Sequence, residues 1–469
     1  MGGEFDHGPS AKLSDVNGGD GVAPARLAAF EVIRRTFEQG AWADRALPSA
    51  TARYELDPRD RALAQRLAYG TVQRRDTLDH FASALADRPV DRIDPPLLAA
   101  LRLGLYELLF AGGTPDHAAV DQAVELAKGA GAGRGAGLVN AVLRRAARER
   151  ERLLGGLSDA DPVAAALAHS HPRWLAEMWW EQLGAEVARR LMAADNEPAE
   201  TALRVNALRA DPGAIFADLQ SAGAPVHRPE SSPAAAESLV VDGPIGEALA
   251  ARIDSGELVP QSRASAMVVE MLDPRPGERV LDLCAGPGIK TTQAAARMGA
   301  EGELTAVEVD PGRASELREL CARLGAGAVH VVEADAARAE VGEGYDRVLV
   351  DPPCSDLGTL ASRPDARWRK SARGIEQVSA LQSAILANGV RALRPGGTLA
   401  YSTCTISRLE NEDRIAALLA DPPVPVDLDD LGAEQPALAS PHDPRTLQTR
   451  PDRDRTDGFF IARLRRAPA

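Results

Sequence analysis

From residue 265 onward short apolar runs alternate with longer amphipathic ones, and this alternation restricts the fold more than any other feature. The apolar runs are RVLDLC, ELTAVEV, AVHVVEAD, RVLVDPP and GTLAYST. Helical patterns such as RASELRELCARLG and VSALQSAILANGVRAL lie between them. Strict β/α alternation implies a parallel, doubly wound sheet covered by helices on both faces. Ligands of such sheets collect beyond the carboxyl ends of the strands. The closing run GFFIARLRR reads as one more strand, antiparallel at the edge.

The earlier chain has a different rhythm. Over 23–155 apolar residues recur at helical spacing, as in Leu27, Phe30, Ile33 and Phe37, or Leu97, Leu101, Leu105 and Leu109. Pro95 and Pro96 suit a helix start. The Gly-rich GAGAGRGAG separates AAVDQAVELAK from LVNAVLRRAARER. The pattern predicts an all-α bundle. Residues 160–260 read as a mixed α/β connecting subdomain, with a Trp-bearing helix and the strand candidates ALRVNAL and SLVVDG. Residues 1–22 read as a disordered tail, and 261–469 as the α/β domain. A chain of 469 residues suffices for each part to bury its own core.

Four cysteines without CxxC spacing argue against a disulfide framework or a zinc site. No apolar run reaches the roughly 18 residues of a membrane span; a reducing cytoplasm is the default location, and a monomer without metal is expected. The net charge of −14 opposes phosphate binding on average. Two Arg clusters, RRAARERER (144–152) and RPDARWRKSAR (363–373), offer local basic faces.

The strand ends carry the chemistry. After the first comes DLCAGPGIKTT, whose Gly286 and Gly288 allow a ligand close to the backbone before a helix begins. It has neither the GKS/GKT ending of a phosphate loop nor full GxGxxG spacing. Glu308 ends the second strand, where an acid can accept from ribose hydroxyls, with Asp310 as a near alternative. Asp335 ends the third and can meet an adenine amino group. Singly, each acid reads as a helix cap or a turn residue. Together, and without a triphosphate motif, they point to S-adenosyl-L-methionine.

Cys284, Cys354 and Cys404 each terminate a strand candidate, whereas Cys321 lies in a helical pattern as a small hydrophobe would. If the strands take first, fourth and fifth places in a doubly wound sheet, three thiols face one cleft. A thiol beside a methyl donor has a specific use. C5 of cytosine is too weak a nucleophile until a thiolate adds to C6 and makes the ring an enamine; a base then removes the C5 proton and the thiolate leaves. Asp351 can stabilise the ring protonated at N3, and a second thiol or carboxylate can take the proton.

These residues resemble a known family. DLCAGPGIKTT, DPPCSDLGTLASRPDARW and YSTCTISRLENE are similar, in order, to motif I, the proline–cysteine motif and the threonine–cysteine motif of the Nol–Nop–Sun RNA cytosine-C5 methyltransferases. PARLAAFEVIRRTFEQGAWADRAL, RLAYGTVQRRDTLDHF, LLAALRLGLYELLF and LVNAVLRRAARE resemble the NusB-like RNA-binding domain that precedes such a catalytic domain in bacteria. VPQSRASAMVVEML is similar to the family's entry into that domain. The resemblance implies a NusB-like bundle followed by a Rossmann-like class I S-adenosylmethionine-dependent methyltransferase domain acting on 16S ribosomal RNA, at cytosine 967. It implies Cys404 as nucleophile and Cys354 as the thiol that assists release. It implies cofactor contacts at Cys284, Ala285, Gly286, Pro287, Gly288, Ile289, Lys290, Glu308, Asp335 and Asp351.

Two positions depart from the family pattern. Ile289 stands where glycine is usual; a requirement for φ > 0 there would strain the turn or weaken cofactor binding. Asp356 stands where a small residue often follows the proline–cysteine motif. Two other readings stay open: an amino-group methyltransferase, since DPPC resembles the [DN]PP-aromatic motif, and an RNA-binding assembly factor whose donor site has decayed through Ile289.

Overall fold

The computed structural model describes residues 21–229, 237–299 and 301–468, so the tail expected at 1–22 lies, but for Gly21 and Val22, outside the described residues. The chain forms two compact units, one of residues up to Pro198 with Leu360–Arg369, the other of Ala199–Thr359 with Lys370–Ala469. The division falls inside the 160–260 segment, and the Trp-bearing helix Arg173–Leu183 belongs to the first unit.

The first unit is helical. Its main helices are Pro24–Gln39, Ala43–Arg53, Pro58–Gln73, Arg75–Ala86, Pro95–Tyr106, Asp116–Ala127 and Ala136–Arg148. Pro24, Pro58 and Pro95 each start a helix, where the missing N–H costs nothing. Asp57 caps the third through the Asp60 N–H at 2.7 Å. Phe30, Ile33, Leu67, Leu78, Leu101 and Leu105 form one core, which agrees with the helical spacing in the sequence. Gly104 allows a close helix crossing, since a Cβ there would meet the Leu143 side chain at 2.5 Å.

Leu360–Arg369 is anchored in this unit. Arg367 is fully buried and donates to Ser170 O (3.1 Å), Asn196 Oδ1 (2.9 Å) and Asp195 O (2.8 Å). Trp368 Nε1 donates to Val72 O at 2.8 Å, and Arg369 donates to Gly40 O (2.9 Å) and Ala41 O (2.6 Å) over the ring of Trp42. The 363–373 cluster is therefore largely a packing device, because guanidinium donors already satisfied by carbonyls are lost to phosphates. The 144–152 cluster lies along helices with surface ion pairs, such as Arg145 to Glu149 (2.9 Å) and Arg150 to Asp116 (2.6 Å).

The second unit holds two sheets. The smaller contains β1 (Thr201–Val205), β2 (Val226–His227), β3 (Ser238–Val241) and β4 (Leu258–Pro260) in the antiparallel order β2-β3-β1-β4. The larger contains β5 (Arg279–Asp282), β6 (Glu303–Glu308), β7 (His330–Glu333), β8 (Tyr345–Val350), β9 (Leu393–Thr403), β10 (Val426–Leu428), β11 (Leu447–Gln448) and β12 (Phe460–Arg466). Its order is β10-β12-β9-β8-β5-β6-β7, with β11 also paired to β12. β5 to β9 are parallel, and the first, fourth and fifth of them are neighbours, as the cleft argument required. β12 is antiparallel to β9 but is not the edge, because β10 pairs with its other side. Fully buried Val348, Leu399, Tyr401 and Phe460 anchor the middle of this sheet.

Candidate active site

The cofactor-type half of the rim is built from backbone. Leu283–Gly288 turns from β5 into the helix Ile289–Met298, with Gly288 at its N-terminus and φ of 110°. The left-handed demand of this turn thus falls on Gly288, while Ile289 is already helical, so the strain expected at Ile289 does not arise. Gly286 N–H donates to Glu308 Oε2 at 3.1 Å, and a Cβ on Gly286 would overlap that carboxylate. Glu308 also accepts from Asp310 N–H at 3.0 Å and faces Arg313 at 3.5 Å. Asp310 instead caps the next helix through Arg313 N–H, so Glu308, not Asp310, turns toward the loop. Asp335 is exposed two residues beyond β7, where it accepts from Ala337 N–H at 3.0 Å.

Beneath this half, Asp282 accepts from Thr291 Oγ1 (2.7 Å) and from Cys284 N–H (3.3 Å), and burial pushes its pKa up to about 6. Cys284 packs partly buried against the central core, not with the other thiols. Burial, then the nearby charges of Asp282, Asp351 and Glu308, holds its thiol well above the ordinary range. Three thiols at three strand ends thus reduce to two in one place. Cys321 is buried in its helix, as the sequence suggested.

The other half is built from side chains at the ends of β8 and β9. The sulfurs of Cys354 and Cys404 lie 3.3 Å apart. Cys404 Sγ also reaches Asp356 Oδ1 at 3.2 Å. Lys370 Nζ donates to Asp356 Oδ2 (2.8 Å) and to Cys354 O (3.2 Å). The ligand-type atoms of Cys354, Asp356 and Cys404 fall within 4.8 Å of one another, but the Lys370 ammonium meets the negative charge there and repels a cation. Asp351 joins the two halves: Lys290 Nζ donates to its Oδ2 (2.6 Å) and Ser402 Oγ to its Oδ1 (2.7 Å). Burial works against the Lys290 ammonium, yet Asp351 keeps its pKa above the ordinary value. The Cys404 thiol is held well above its usual pKa by the hydrogen bond with Cys354, then by burial.

Several supporting residues escaped sequence reasoning. Glu410 follows the end of β9, where an acid commonly starts or caps the next helix. Its carboxylate instead accepts from Ser355 N–H (2.9 Å), Ser355 Oγ and Gln382 Nε2 (3.0 Å), so it clamps the Cys354 loop to the Cys404 loop. Asn411 accepts from Thr403 Oγ1 at 2.5 Å and donates to Thr405 O at 3.1 Å, which pins the turn after Cys404. Only Glu412 lies in the helix that follows, Glu412–Ala420. The sequence carried no signal for this, because Ser407, Arg408, Asp413 and Arg414 flank ENE as they would on a solvated turn.

Comparison with known proteins agrees with this architecture. The model of the 16S rRNA methyltransferase RsmB/F family matches residues 269–465, the NusB family matches 23–148, and the ferredoxin-like domain of RsmF/B-like methyltransferases matches 171–245. The probable ribosomal RNA small subunit methyltransferase B of Bacillus subtilis is 33% identical over 93% of this chain and 98% of its own. The ribosomal RNA small subunit methyltransferase B of Klebsiella pneumoniae is 32% identical over 94% of this chain and 97% of its own. The crystal structure of PH0851 superposes with a TM-score of 0.79 at 27% identity, covering 94% of this chain and 99% of that one. A methyltransferase homologue from Pyrococcus horikoshii gives 0.58 at 29% identity, over 65% of this chain and 98% of that one. Among the described residues no helix is long and apolar enough to cross a membrane. With a NusB domain, a ferredoxin-like insert and a methyltransferase sheet in one order, and with relatives matched along nearly their whole length, this chain belongs to the 16S rRNA methyltransferase RsmB/F family.

Proposed function

We propose that this rRNA methyltransferase modifies C5 of a cytosine in 16S rRNA, by resemblance cytosine 967, through a covalent bond from Cys404 to C6 of the ring. The observation that carries the reading is the 3.3 Å approach of the Cys354 and Cys404 sulfurs at adjacent strand ends. Methylation of an exocyclic amine has no use for two thiols. C5 chemistry uses both, one to make the ring an enamine and one to help undo it.

S-adenosyl-L-methionine fits the other half of the rim and, when bound, supplies an electrophilic methyl group. The loop of Cys284, Ala285, Gly286, Pro287, Gly288, Ile289 and Lys290 would hold it together with Glu308 and Asp335. The fit rests on Gly286, whose missing side chain leaves the Glu308 carboxylate at the loop, and on Gly288, whose left-handed backbone turns the loop into the helix. Asp351, oriented by Lys290 and Ser402, serves the ring nitrogen side of the base. Cys354 assists removal of the C5 proton and release of Cys404. The target base must leave its stack before a partly buried thiol can reach C6.

Incubation with unmethylated 16S rRNA and labelled methyl donor, followed by nucleoside analysis, tests the reading. Label at C5 of one cytosine is expected. Label on an exocyclic amine, or no label from protein that binds the donor, would overturn it.

A further inference from the structure

Asp356 is one of the two departures from the family pattern, and it touches the thiol on which the proposed reaction depends. We propose that Asp356 is the base that takes the proton from Cys404 as its sulfur attacks the pyrimidine, and that Lys370 positions that carboxylate. The inference rests on the reading of Cys404 as nucleophile.

The two carboxylate oxygens have separate partners. Oδ2 is held by the Lys370 ammonium at 2.8 Å, and Oδ1 is 3.2 Å from Cys404 Sγ. Lys370 is itself fixed by Cys354 O at 3.2 Å, so the acid, the ammonium and the loop of the second thiol form one unit. Asp356 adopts φ of 58°, a conformation few residues with a side chain accept and Asp accepts more readily than most. A glycine would be at ease there. The aspartate brings to this spot a carboxylate that glycine cannot.

The surroundings explain why such an acceptor is needed. The groups facing Cys404 are Cys354, Asp356, Asp351 and Lys290. The thiol contact, burial and the two carboxylates all disfavour a standing thiolate. The proton must leave as the sulfur attacks, to a group already within hydrogen-bond reach. Asp351 is engaged by Lys290 and Ser402, and Lys290 is itself protonated. Asp356 has one oxygen on the sulfur and the other on the Lys370 ammonium.

The step balances. On attack the S–H bond breaks and its proton passes to Asp356 Oδ1. A sulfur electron pair forms the S–C6 bond, and the C5=C6 pair moves into the C5–C4–N3 system of the N3-protonated ring. Once C5 carries its methyl group, the C5 proton leaves to solvent with the assistance of Cys354, and the C5–H pair forms C5=C6 as the C6–S bond breaks. The departing sulfur takes the C6–S pair and recovers the proton from Asp356 Oδ1. The carboxylate ends as it began, and the net proton released is the one from C5.

The test uses full-length protein, methyl donor and a 16S rRNA fragment carrying 5-fluorocytidine at the target. That base has no C5 proton to lose, so the adduct persists. Adduct formation is followed from pH 6 to 9.5 for the wild type, Asp356→Asn and Asp356→Gly. Both variants should form adduct about 100-fold more slowly at pH 7, the lower end of what a positioned base supplies. Their rates should climb with pH as hydroxide replaces the base, while the wild-type rate stays flat around neutrality. Asp356→Gly relieves the backbone, so an equal deficit in both variants excludes a folding cause. Wild-type rates and pH dependence in both variants would overturn the role of Asp356 alone. Adduct formed by Cys404→Ala would instead topple the nucleophile assignment beneath it.

Discussion

The rim of the sheet has two halves built on different principles. Beyond β5–β7 the rim is backbone: glycines, a helix N-terminus, and carboxylates that accept from main-chain N–H groups. Beyond β8 and β9 it is side chain on side chain, with two thiols, Asp356, Lys370 and the Glu410 clamp. A bound cofactor needs close approach and matched hydrogen bonds, which backbone supplies with little entropy to lose. Bond making at a base needs groups that gain and lose protons, and only side chains do that at neutral pH.

The sharpest way to break this contrast is to remove the thiols. Cys404→Ala is expected to lower turnover by at least about 10⁴-fold while donor binding, measured by calorimetry, stays intact. Cys354→Ala should leave RNA trapped on the protein, visible as a shifted band on a denaturing gel. Next comes the buried carboxyl beneath the cofactor half. With its pKa raised from 3.8 to about 6, Asp282 keeps a proton in the folded chain that the unfolded chain has released. Its contribution is therefore absent below pH 4 and becomes destabilising as pH rises through about 4 to 6, by roughly 3 kcal/mol. Asp282→Asn should remove that drop, read as urea midpoints of variant and wild type diverging between pH 4 and 6.5. The smallest expected effect is at the loop. Gly286→Ala displaces the Glu308 carboxylate and its N–H bond, a charged hydrogen bond of about 1.5 kcal/mol or more, so donor affinity should fall about tenfold. Unchanged donor affinity would deny the cofactor half its backbone logic.

Much of the fold was legible because its signals are local. Apolar runs of strand length between helical patterns are properties of short windows, and β5 to β9 appear at the expected runs. Adjacency of first, fourth and fifth strands followed from the general geometry of doubly wound sheets. The edge placement of the last strand failed, because the short pairing segment Val426–Leu428 lies in an Asp-rich stretch with little apolar pattern. Ile289 looked like a strained position only because nothing in the string says whether the positive φ falls on it or on Gly288.

By itself the sequence determined the element types, their order, and the family motifs that place cysteines and acids at strand ends. Which of those groups meet was decided by tertiary structure. Cys284, Cys354 and Cys404 look alike in one dimension, yet only the last two share a cleft, since side-chain direction at a strand end depends on the turn that follows. Glu410 reaches Ser355 across the sheet, and Arg367 is buried among helices more than 170 residues away in the chain. Such contacts join groups with no local signature, and they form only once the packed core has brought distant segments to within a few ångströms.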